Sequence, residues 1–340
     1  MNSEHTQSPC ETLSHMIQGY KNSQLVYLAA KLGVADLLAA GPKSADEIVI
    51  STGTNAQALC RIMNGFVWCG LVIQREDKLF ELTSLGECLR SDASDSLKDE
   101  ALFTGEILGP AWSAIHNTVK TGITGFDHFF GMGIFQYLTE HPEIGESFNK
   151  VMVKCTAAMS ESVLAVYDFS PYREVVDVGG GFGALLTSIL KKHPGIHGVL
   201  FDISSVIQGA KDRLEKEGLL NRCTIVAGDF FNSVPQGGDL YILKSIIHDW
   251  DEADCLRILK NCHKAMGTRG KILLVEWIMP EIVDNATNGV NLDLTMLMVS
   301  GGQERTEREY RALFDSAGFQ LNRIIPTPSG KSLLEGIPKT

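Results

Sequence analysis

The sequence lacks the cysteine pairs and the terminal segments that would assign it to several common protein classes. Its eight cysteines are scattered along 340 residues without a C-x-x-C pair, which favours a reducing, cytoplasmic setting. The first residues, MNSEHTQSPCETL, show no basic start followed by an apolar run, so no export signal is predicted. The longest apolar stretch, LVYLAAKLGVADLLAA, is interrupted by Lys31 and Asp36 and is too short to span a bilayer.

An excess of basic residues is also missing. Lys and Arg number 30 against 41 Asp and Glu, a formal net charge of −11 at pH 7. An acidic protein gains nothing from attraction to a phosphate backbone, so nucleic acid is not predicted as a partner. His193 and His197 are four residues apart, but Pro194 places them in a loop rather than on one helix face, and no metal site is predicted.

The N-terminal part carries helical patterns and a short hairpin. Ser44 with Glu47 and Thr54 with Gln57 have the spacing of capping boxes, and LVIQREDKLFELT predicts two short strands around a polar turn. Helices followed by a hairpin indicate a winged helix, which serves either DNA binding or dimerisation. Arg61 is the only charge on the predicted recognition helix, whereas a groove reader needs a basic face, so we predict dimerisation.

We predict three parts: a winged-helix-like, all-α dimerisation domain over residues 1–100, a helical connecting and substrate-lining region over 101–170, and a catalytic domain over 171–340. The middle region is rich in Phe and Met, which serve core packing in most cases and a pocket for a flat substrate in a few. From residue 171, continuous apolar runs alternate with helical segments. This pattern predicts an α/β fold with a doubly wound, Rossmann-like, mostly parallel sheet. FQLNRII and KSLLEGI, joined by PTPSG, predict an antiparallel C-terminal hairpin at one edge.

Polar or flexible residues follow five successive predicted strands. The first strand ends in the glycine-rich turn GGGFG, and the others end in Asp202, in Asp229, in Lys244 followed by His248, and in Glu276. In an open parallel sheet, ligands bind beyond the carboxyl ends of the strands, at the switch point of the strand order. The sequence therefore predicts a single binding site at this edge.

Two ligands fit the glycine turn. GGGFGA nearly matches the dinucleotide fingerprint G-x-G-x-x-G/A, with Asp202 where a ribose-binding acid is expected. A dinucleotide gives no role to Asp229 or to the HDWD stretch. S-adenosylmethionine needs close backbone approach, a carboxylate for its ribose diol and a further polar contact near its base, and Asp202 and Asp229 meet those needs. We therefore favour S-adenosylmethionine as the cofactor.

Several stretches resemble the small-molecule O-methyltransferases of the plant caffeate and acetylserotonin type, a class also common in microbial natural-product pathways. They are VVDVGGGFG, LFDI, AGDFF, YILKSIIHDWDE and GGQERTEREYRALFDSAGF. The resemblance covers most of the chain. It implies a cytoplasmic, homodimeric S-adenosylmethionine-dependent O-methyltransferase that acts on a hydroxyl of an aromatic or conjugated small molecule.

The resemblance also implies roles for individual residues. His248 would be the general base, with Glu276 and Glu304 flanking and orienting it. The residues that would bind the cofactor are Gly179, Gly181, Asp202, Asp229, Phe230 and Lys244. The residues that would contact the acceptor are Phe148, Met152 and Met296. The sequence departs from the plant pattern at FDI and in the loop after Met296.

The chemistry demands help for the base, because a phenol has a pKa near ~10 and histidine one near ~6.5. A carboxylate on the far nitrogen would stabilise the imidazolium and fix the tautomer.

The sequence leaves alternatives open. His248 could merely cap the helix DEADCLRILKNC, and Glu304 could form a surface ion pair with Arg305. The enzyme could have drifted to hydroxylation, decarboxylation or pericyclic chemistry, could methylate N or S, or could be a non-enzymatic winged-helix regulator.

Overall fold

The computed structural model of the chain describes residues 8–339. Its backbone divides into two compact units, Met1–Pro110 and Ala111–Thr340. The three-part division given above stays a prediction. The prediction of no export signal concerns the N-terminal residues, and residues 1–7 lie outside the described range. Within that range, no helix combines the length and the apolar character needed to cross a membrane.

The first unit consists of helices and one small hairpin. Its elements are α1 (Pro9–Lys31), α2 (Val34–Ala39), α3 (Ala45–Thr52), α4 (Ala56–Trp68), β1 (Val72–Gln74), β2 (Phe80–Leu82), α5 (Ser84–Glu87) and α6 (Lys98–Phe103), followed by a π-helical turn, Thr104–Leu108. β1 and β2 pair antiparallel, as the polar turn between them predicts. The core of this unit is formed by side chains of α1 to α4 together with Val72 and Phe80 of the hairpin and the flanking Leu71 and Leu89.

One of the two predicted helix starts in this unit is wrong. Ser44 and Glu47 form the predicted capping box of α3. α4 is instead capped by Asn55, whose side chain accepts a hydrogen bond from the Ala58 N–H at 3.0 Å. The hydroxyl of Thr54 is instead hydrogen-bonded to the hydroxyl of Thr52 at 2.8 Å.

The second unit begins with helices and continues as an alternating α/β structure. The helices are α7 (Gly109–Ser113, across the division), α8 (Ile115–Thr121), α9 (Gly125–Phe130), α10 (Ile134–Glu140) and α11 (Pro142–Val166). The α/β part contains β3 (Glu174–Val178), α12 (Ala184–Lys192), β4 (His197–Asp202), α13 (Ser204–Lys216), β5 (Cys223–Ala227), β6 (Leu240–Lys244), α14 (Glu252–Met266), β7 (Lys271–Glu276), β8 (Ile278–Met279), α15 (Val290–Val299), β9 (Arg305–Thr306), α16 (Glu307–Ser316), β10 (Phe319–Pro326) and β11 (Ser332–Pro338).

The seven-stranded sheet has the order β10-β11-β7-β6-β3-β4-β5. β3 to β7 run parallel, and β10 and β11 form the antiparallel hairpin at one edge. The predicted fold class is thereby confirmed. Because β3 lies between β4 and β6, the strand order switches direction at β3, and this is the point where an open sheet of this kind binds ligands.

Both faces of the sheet are buried, which explains why its strands read as continuous apolar runs. Val176 and Val178 of β3 face a core that includes α14 and α16. Val175 of the same strand faces the opposite core, which includes α12 and α13. The sheet is thus a rigid layer between two helical layers, and its carboxyl edge is left to hold the polar side chains.

Candidate active site

The glycine turn follows β3 at the carboxyl edge of the sheet. Gly179, Gly181 and Gly183 have φ of +68°, +58° and +73°, a conformation that residues with a Cβ rarely adopt. A Cβ at Gly179 would lie 2.5 Å from Ile246 Cδ1, whereas a Cβ at Gly181 would meet nothing closer than Asn149 Oδ1 at 3.8 Å. Gly181 therefore presents bare backbone to a space that a closely bound small molecule can fill.

Asp202 ends β4 directly beside this turn. Its Oδ2 accepts a hydrogen bond from the Gly181 N–H at 2.7 Å, and its Oδ1 accepts one from the Ile203 N–H at 2.7 Å. Burial raises the pKa of Asp202, and the two backbone hydrogen bonds oppose that rise. The structure thus brings the glycine turn and this carboxylate together.

Asp229 lies beyond the end of β5 and shapes a turn of its own. Its Oδ1 accepts from the Phe231 N–H at 2.8 Å, and its Oδ2 accepts from Asn232 Nδ2 at 2.9 Å. Each carboxylate oxygen keeps a second lone pair for a ligand. The neighbouring Phe230 packs edge-on against Trp250, with ring centroids 5.9 Å apart.

Lys244 ends β6 and ties α11 to the carboxyl edge of the sheet. Its Nζ donates to Thr156 Oγ1 of α11 at 3.0 Å. Burial lowers the pKa of Lys244 and the nearby Lys331 cation lowers it further, while the Asp177 carboxylate opposes both effects. Asp177 lies within β3, and burial raises its pKa to about 7.

The segment after β6 forms a tight turn that carries His248. It starts with Ser245, whose φ is +55°, and continues as one turn of 3-10 helix. Glu276, at the end of the neighbouring β7, accepts hydrogen bonds through Oε1 from the N–H groups of Ile246 and Ile247, both at 3.0 Å. The fully buried carboxylate of Glu276 therefore holds the backbone of this turn in place.

Glu304 reaches the same place from a distant part of the sequence. The two-residue strands β8 and β9 pair in parallel, with Ile278 opposite Arg305, and this pairing brings residue 304 beside the end of β7. Glu304 Oε1 lies 2.6 Å from His248 Nδ1, and the Glu304 N–H donates to Asp293 Oδ1 of α15 at 2.8 Å. His248 is only 5% exposed, and its buried ring is oriented by the hydrogen bond to this carboxylate.

Carboxylates surround the imidazole on both sides. Glu276 Oε2 lies 3.8 Å from Nδ1, and Asp249 Oδ1 lies 3.8 Å from Nε2. Burial lowers the pKa of His248, but Glu276, Asp249 and the hydrogen bond to Glu304 outweigh it, so the pKa lies above the ordinary 6.5. Burial also raises the pKa of Glu304 and raises that of Asp249 to about 6. Because Nδ1 is held by Glu304, Nε2 is the nitrogen left to accept a proton.

Several side chains of the site have no signal in the strand-end pattern. Asp249 is contained in the HDW stretch, but the pattern does not distinguish it from a helix-cap residue. Phe135 of α10 stacks on Trp250, with centroids 5.1 Å apart and planes inclined by 25°. Among residues 8–339, the buried Trp250 Nε1 and Tyr310 hydroxyl have no hydrogen-bond partner. Buried polar groups of this kind are costly unless another group pairs with them.

The structure overturns the helix-cap alternative for His248. The residue that caps α14 is Asp251, whose side chain accepts from the Asp254 N–H at 2.9 Å. His248 lies three residues earlier, in the 3-10 turn, with its ring bonded to Glu304.

The alternative that pairs Arg305 with Glu304 on the surface is wrong. The guanidinium of Arg305 is buried and donates to three backbone carbonyls, those of Ile247 at 2.8 Å, Trp250 at 2.9 Å and Gln303 at 3.3 Å. Arg305 therefore clamps the ends of the turn that carries His248, while the neighbouring glutamate is left to the imidazole.

The helices that carry the predicted acceptor contacts lie at this edge. Phe148 and Met152 are half-buried on α11, whose Thr156, one turn further on, accepts the hydrogen bond from Lys244. Met296 is buried on α15, which is fixed by the backbone bond of Glu304 described above. α11 thus contacts the end of β6, and α15 contacts the backbone of Glu304.

The cluster also contains atoms that a metal ion could use. Ligand atoms of His248, Glu276 and Glu304 lie within 4.8 Å of one another, the one such group found within the described part of the chain. The 2.6 Å separation of Nδ1 and Oε1, however, is that of a charge-assisted hydrogen bond in which one proton satisfies both atoms. We interpret the cluster as an acid–base site.

A glycine turn after β3 and a buried imidazole–carboxylate cluster after the neighbouring β6 are typical of a methyltransferase of Rossmann-like fold. Residues 112–320 match the family model of the O-methyltransferase domain, and residues 14–92 match that of the O-methyltransferase dimerisation domain. The chain is 42% identical to the phenazine O-methyltransferase PhzM of Lysobacter antibioticus, over 96% of this chain and 95% of that protein. It is 37% identical to the O-demethylpuromycin-O-methyltransferase of Streptomyces alboniger, over 96% and 89% of the two chains.

Solved structures agree with these matches. LaPhzM has a TM-score of 0.92 and 41% identity, covering 98% of this chain and 100% of its own. NcsB1, an O-methyltransferase from neocarzinostatin biosynthesis solved with S-adenosylmethionine and 2-hydroxy-5-methyl naphthoic acid, has a TM-score of 0.85 and 30% identity, covering 94% and 96%. The chain therefore belongs to the O-methyltransferase family that joins a dimerisation domain to the catalytic domain. The predictions of an O-methyltransferase and of S-adenosylmethionine as its cofactor are confirmed.

Proposed function

We propose that the chain methylates a hydroxyl group of an aromatic, natural-product-like small molecule, with His248 as the general base. The observation that carries this proposal is the 2.6 Å hydrogen bond between Glu304 and His248 Nδ1, at the strand next to the glycine turn. It holds the imidazole in the tautomer whose Nε2 can accept a proton. The names of the relatives, a phenazine and a puromycin O-methyltransferase, support an aromatic or natural-product acceptor.

The proton transfer follows from the charges around the imidazole. When bound, S-adenosylmethionine would supply an electrophilic methyl group on a sulfonium, and its sulfur would leave as a neutral thioether when the S–CH₃ bond breaks. His248 Nε2 accepts the proton of the acceptor hydroxyl as the oxygen takes up that methyl group. The resulting imidazolium is stabilised by Glu304 at one nitrogen and by the buried Glu276 and Asp249 close by. Burial of the cluster strengthens each of these interactions by excluding water.

We propose the predicted set of residues as the cofactor contacts. Gly179 and Gly181 offer backbone without side chains, and Asp202 lies within 2.7 Å of the Gly181 nitrogen, where a ribose diol can reach its carboxylate. Asp229 and Phe230 lie one strand further along the same edge. The role of Lys244 is supported by its position at the end of β6.

Phe148, Met152 and Met296 are proposed as acceptor contacts. Their helices, α11 and α15, are both tied to the edge that holds His248. Aromatic and thioether side chains suit a flat, polarizable ring.

We further propose that the enzyme is a homodimer. Four large apolar side chains of α1 recur at helical spacing and are exposed in the single chain: Leu13, Met16, Ile17 and Tyr20. An exposed apolar stripe is typical of a surface that another chain covers, and this helix lies largely within the matched dimerisation domain. The free state of all eight cysteines supports the proposed cytoplasmic location.

The test is a mass-spectrometric screen of hydroxylated aromatic compounds with this protein and S-adenosylmethionine. An acceptor gains the mass of one methyl group, and NMR of the product shows whether O, N or S carries it.

The general base is tested by mutation. His248→Asn should leave cofactor binding, measured by calorimetry, nearly intact and should lower turnover about 100-fold, the usual contribution of a general base. His197→Asn is the matched control, because His197 begins β4 at the opposite edge of the sheet. Unchanged turnover in His248→Asn would refute the mechanism, and a product without the methyl group would favour a drifted reaction.

A further inference from the structure

A buried lysine of the C-terminal hairpin reaches the same cluster. Lys331 precedes β11 and is only 9% exposed. Its Nζ donates to Ser245 Oγ and lies 3.9 Å from Glu276 Oε2. Lysine is almost never buried without a partner, and here its two neighbours are the first residue of the His248 turn and the carboxylate beneath that turn.

The backbone of Lys331 is itself anchored. Its carbonyl accepts two hydrogen bonds from Thr327, one from the N–H at 3.0 Å and one from the hydroxyl at 2.7 Å. The next residue, Ser332, pairs with Glu276 in the antiparallel ladder of β11 and β7. The cation is therefore delivered to the end of β7 by a rigid hairpin rather than by a mobile loop.

The hydrogen bond from Lys331 to Ser245 holds the start of the turn that carries His248. Ser245 is not glycine, yet its φ is +55°, a strained conformation that persists only where the surroundings impose it. Its N–H donates to the Val275 carbonyl at 3.2 Å, and its hydroxyl is held by Lys331. The turn that leads to His248 thus starts from a residue fixed at both its backbone and its side chain.

Lys331 also balances the negative charge around the imidazole. The acidic groups are Asp249 on the turn itself, Glu276 at the end of β7 and Glu304 before β9. The other polar groups that face the cluster are Arg305 of β9, Tyr310 of α16 and Lys244 of β6. Lys331 lowers the pKa of His248, whereas Glu276, Asp249 and Glu304 raise it.

We propose that Lys331 is a positioning residue of the active site: it holds Ser245 and Glu276 and thereby sets the orientation and the charge environment of His248. This inference rests on the proposed role of His248 as the base. It adds a residue from the far end of the chain to the catalytic apparatus, acting through its neighbours rather than on the substrate.

The test compares Lys331→Met, which keeps the length of the side chain and removes its charge, with Lys331→Arg, which keeps the charge. Lys331→Met should lower kcat about tenfold, the worth of one lost ionic hydrogen bond. It should also move the acid limb of the kcat–pH profile upward by about half a pH unit, because a positive charge near the imidazole is gone. Lys331→Arg should keep the limb near its wild-type position. The affinity for S-adenosylmethionine should change little in both variants.

The control is Lys339→Met at the other end of β11, where an exposed lysine pairs with Asp315 at 3.0 Å. It should match the wild type in kcat and in pH profile. A Lys331→Met enzyme with wild-type kcat and an unmoved acid limb would overturn the inference. Equal upward shifts of the acid limb in the Met and Arg variants would also overturn it, because the shape of the side chain rather than its charge would then move the limb.

Ser245→Ala covers the case in which Lys331→Met does not fold. It removes the hydroxyl but keeps the cation, so kcat should fall while the acid limb stays in place. Wild-type kcat in Ser245→Ala would overturn the inference. Failure of the proposed function is distinguishable, because it would appear as full turnover in His248→Asn whatever residue occupies position 331.

Discussion

Exchanging Glu304 for glutamine tests the acid–base cluster directly, because the change keeps the shape of the side chain and removes its charge. Glu304 Oε1 lies 2.6 Å from His248 Nδ1. A glutamine can turn its NH₂ group toward that nitrogen. Nδ1 then becomes the acceptor and the ring proton moves to Nε2, which can no longer take a proton from the acceptor hydroxyl.

The expected loss follows from the interaction that is removed. A hydrogen bond to a charged group contributes about 1.5–3 kcal/mol, which corresponds to a roughly 10- to 150-fold fall in kcat. The change of tautomer adds to this, so we expect a fall of about 100-fold or more. The acid limb of the profile should move to lower pH, since a contribution that raises the pKa of His248 against its burial is lost.

The assay is the initial rate of methyl transfer to a phenolic acceptor found in the screen, across the pH range, with cofactor affinity measured by calorimetry. Glu307→Gln is the matched control, because Glu307 is exposed and pairs only with the neighbouring Arg311, at 2.6 Å, among the ion pairs of the described residues. The reasoning would be refuted by a folded Glu304→Gln enzyme with wild-type kcat and an unmoved acid limb.

Two further predictions concern stability and assembly. Glu335 is buried, and although burial raises its pKa, hydrogen bonds from Arg323 and Tyr167 lower it from 4.5 to about 2. The stabilisation is therefore complete above pH ~4.5 and lost as the pH falls toward ~2, and Glu335→Gln should lower the free energy of unfolding at pH 7 by about 3 kcal/mol, the equivalent of this pKa shift; a urea midpoint equal to that of the wild type would contradict this. Ile17→Glu places a charge on the apolar stripe of α1, so light scattering should show a monomer where the wild type is a dimer; an unchanged mass would contradict the proposed interface.

The catalytic sheet could be predicted because its signals are local. Strands buried on both faces read as apolar runs, and EVVDV coincides with β3, Glu174–Val178. The residues at the strand ends could be predicted for the same reason, since parallel strands bring their carboxyl ends to one edge. His248 and Glu276 are two of these strand-end residues.

The remaining parts depend on contacts between distant residues. Lys331 and Ser245 are 86 positions apart, and nothing near either residue indicates the other. Arg305 stands next to a glutamate in the sequence, which favours an ion pair, but the pairing of β8 with β9 turns its guanidinium toward backbone carbonyls instead. The left-handed conformation of Ser245 likewise follows from the surroundings rather than from its residue type.

Two groups can give rise to the acid limb of the pH profile, because Asp249, with a pKa of about 6, lies 3.8 Å from His248 Nε2. Removing the Lys331 cation raises the pKa of both groups, so that variant alone does not separate them. Glu304 does separate them, because it is hydrogen-bonded directly to His248 Nδ1, whereas Asp249 lies on the other side of the ring, 3.8 Å from Nε2. A limb that moves down in Glu304→Gln and up in Lys331→Met belongs to the imidazole. A limb that responds only to Lys331 belongs to the carboxylate, and the proton of the acceptor would then have to be taken by Asp249.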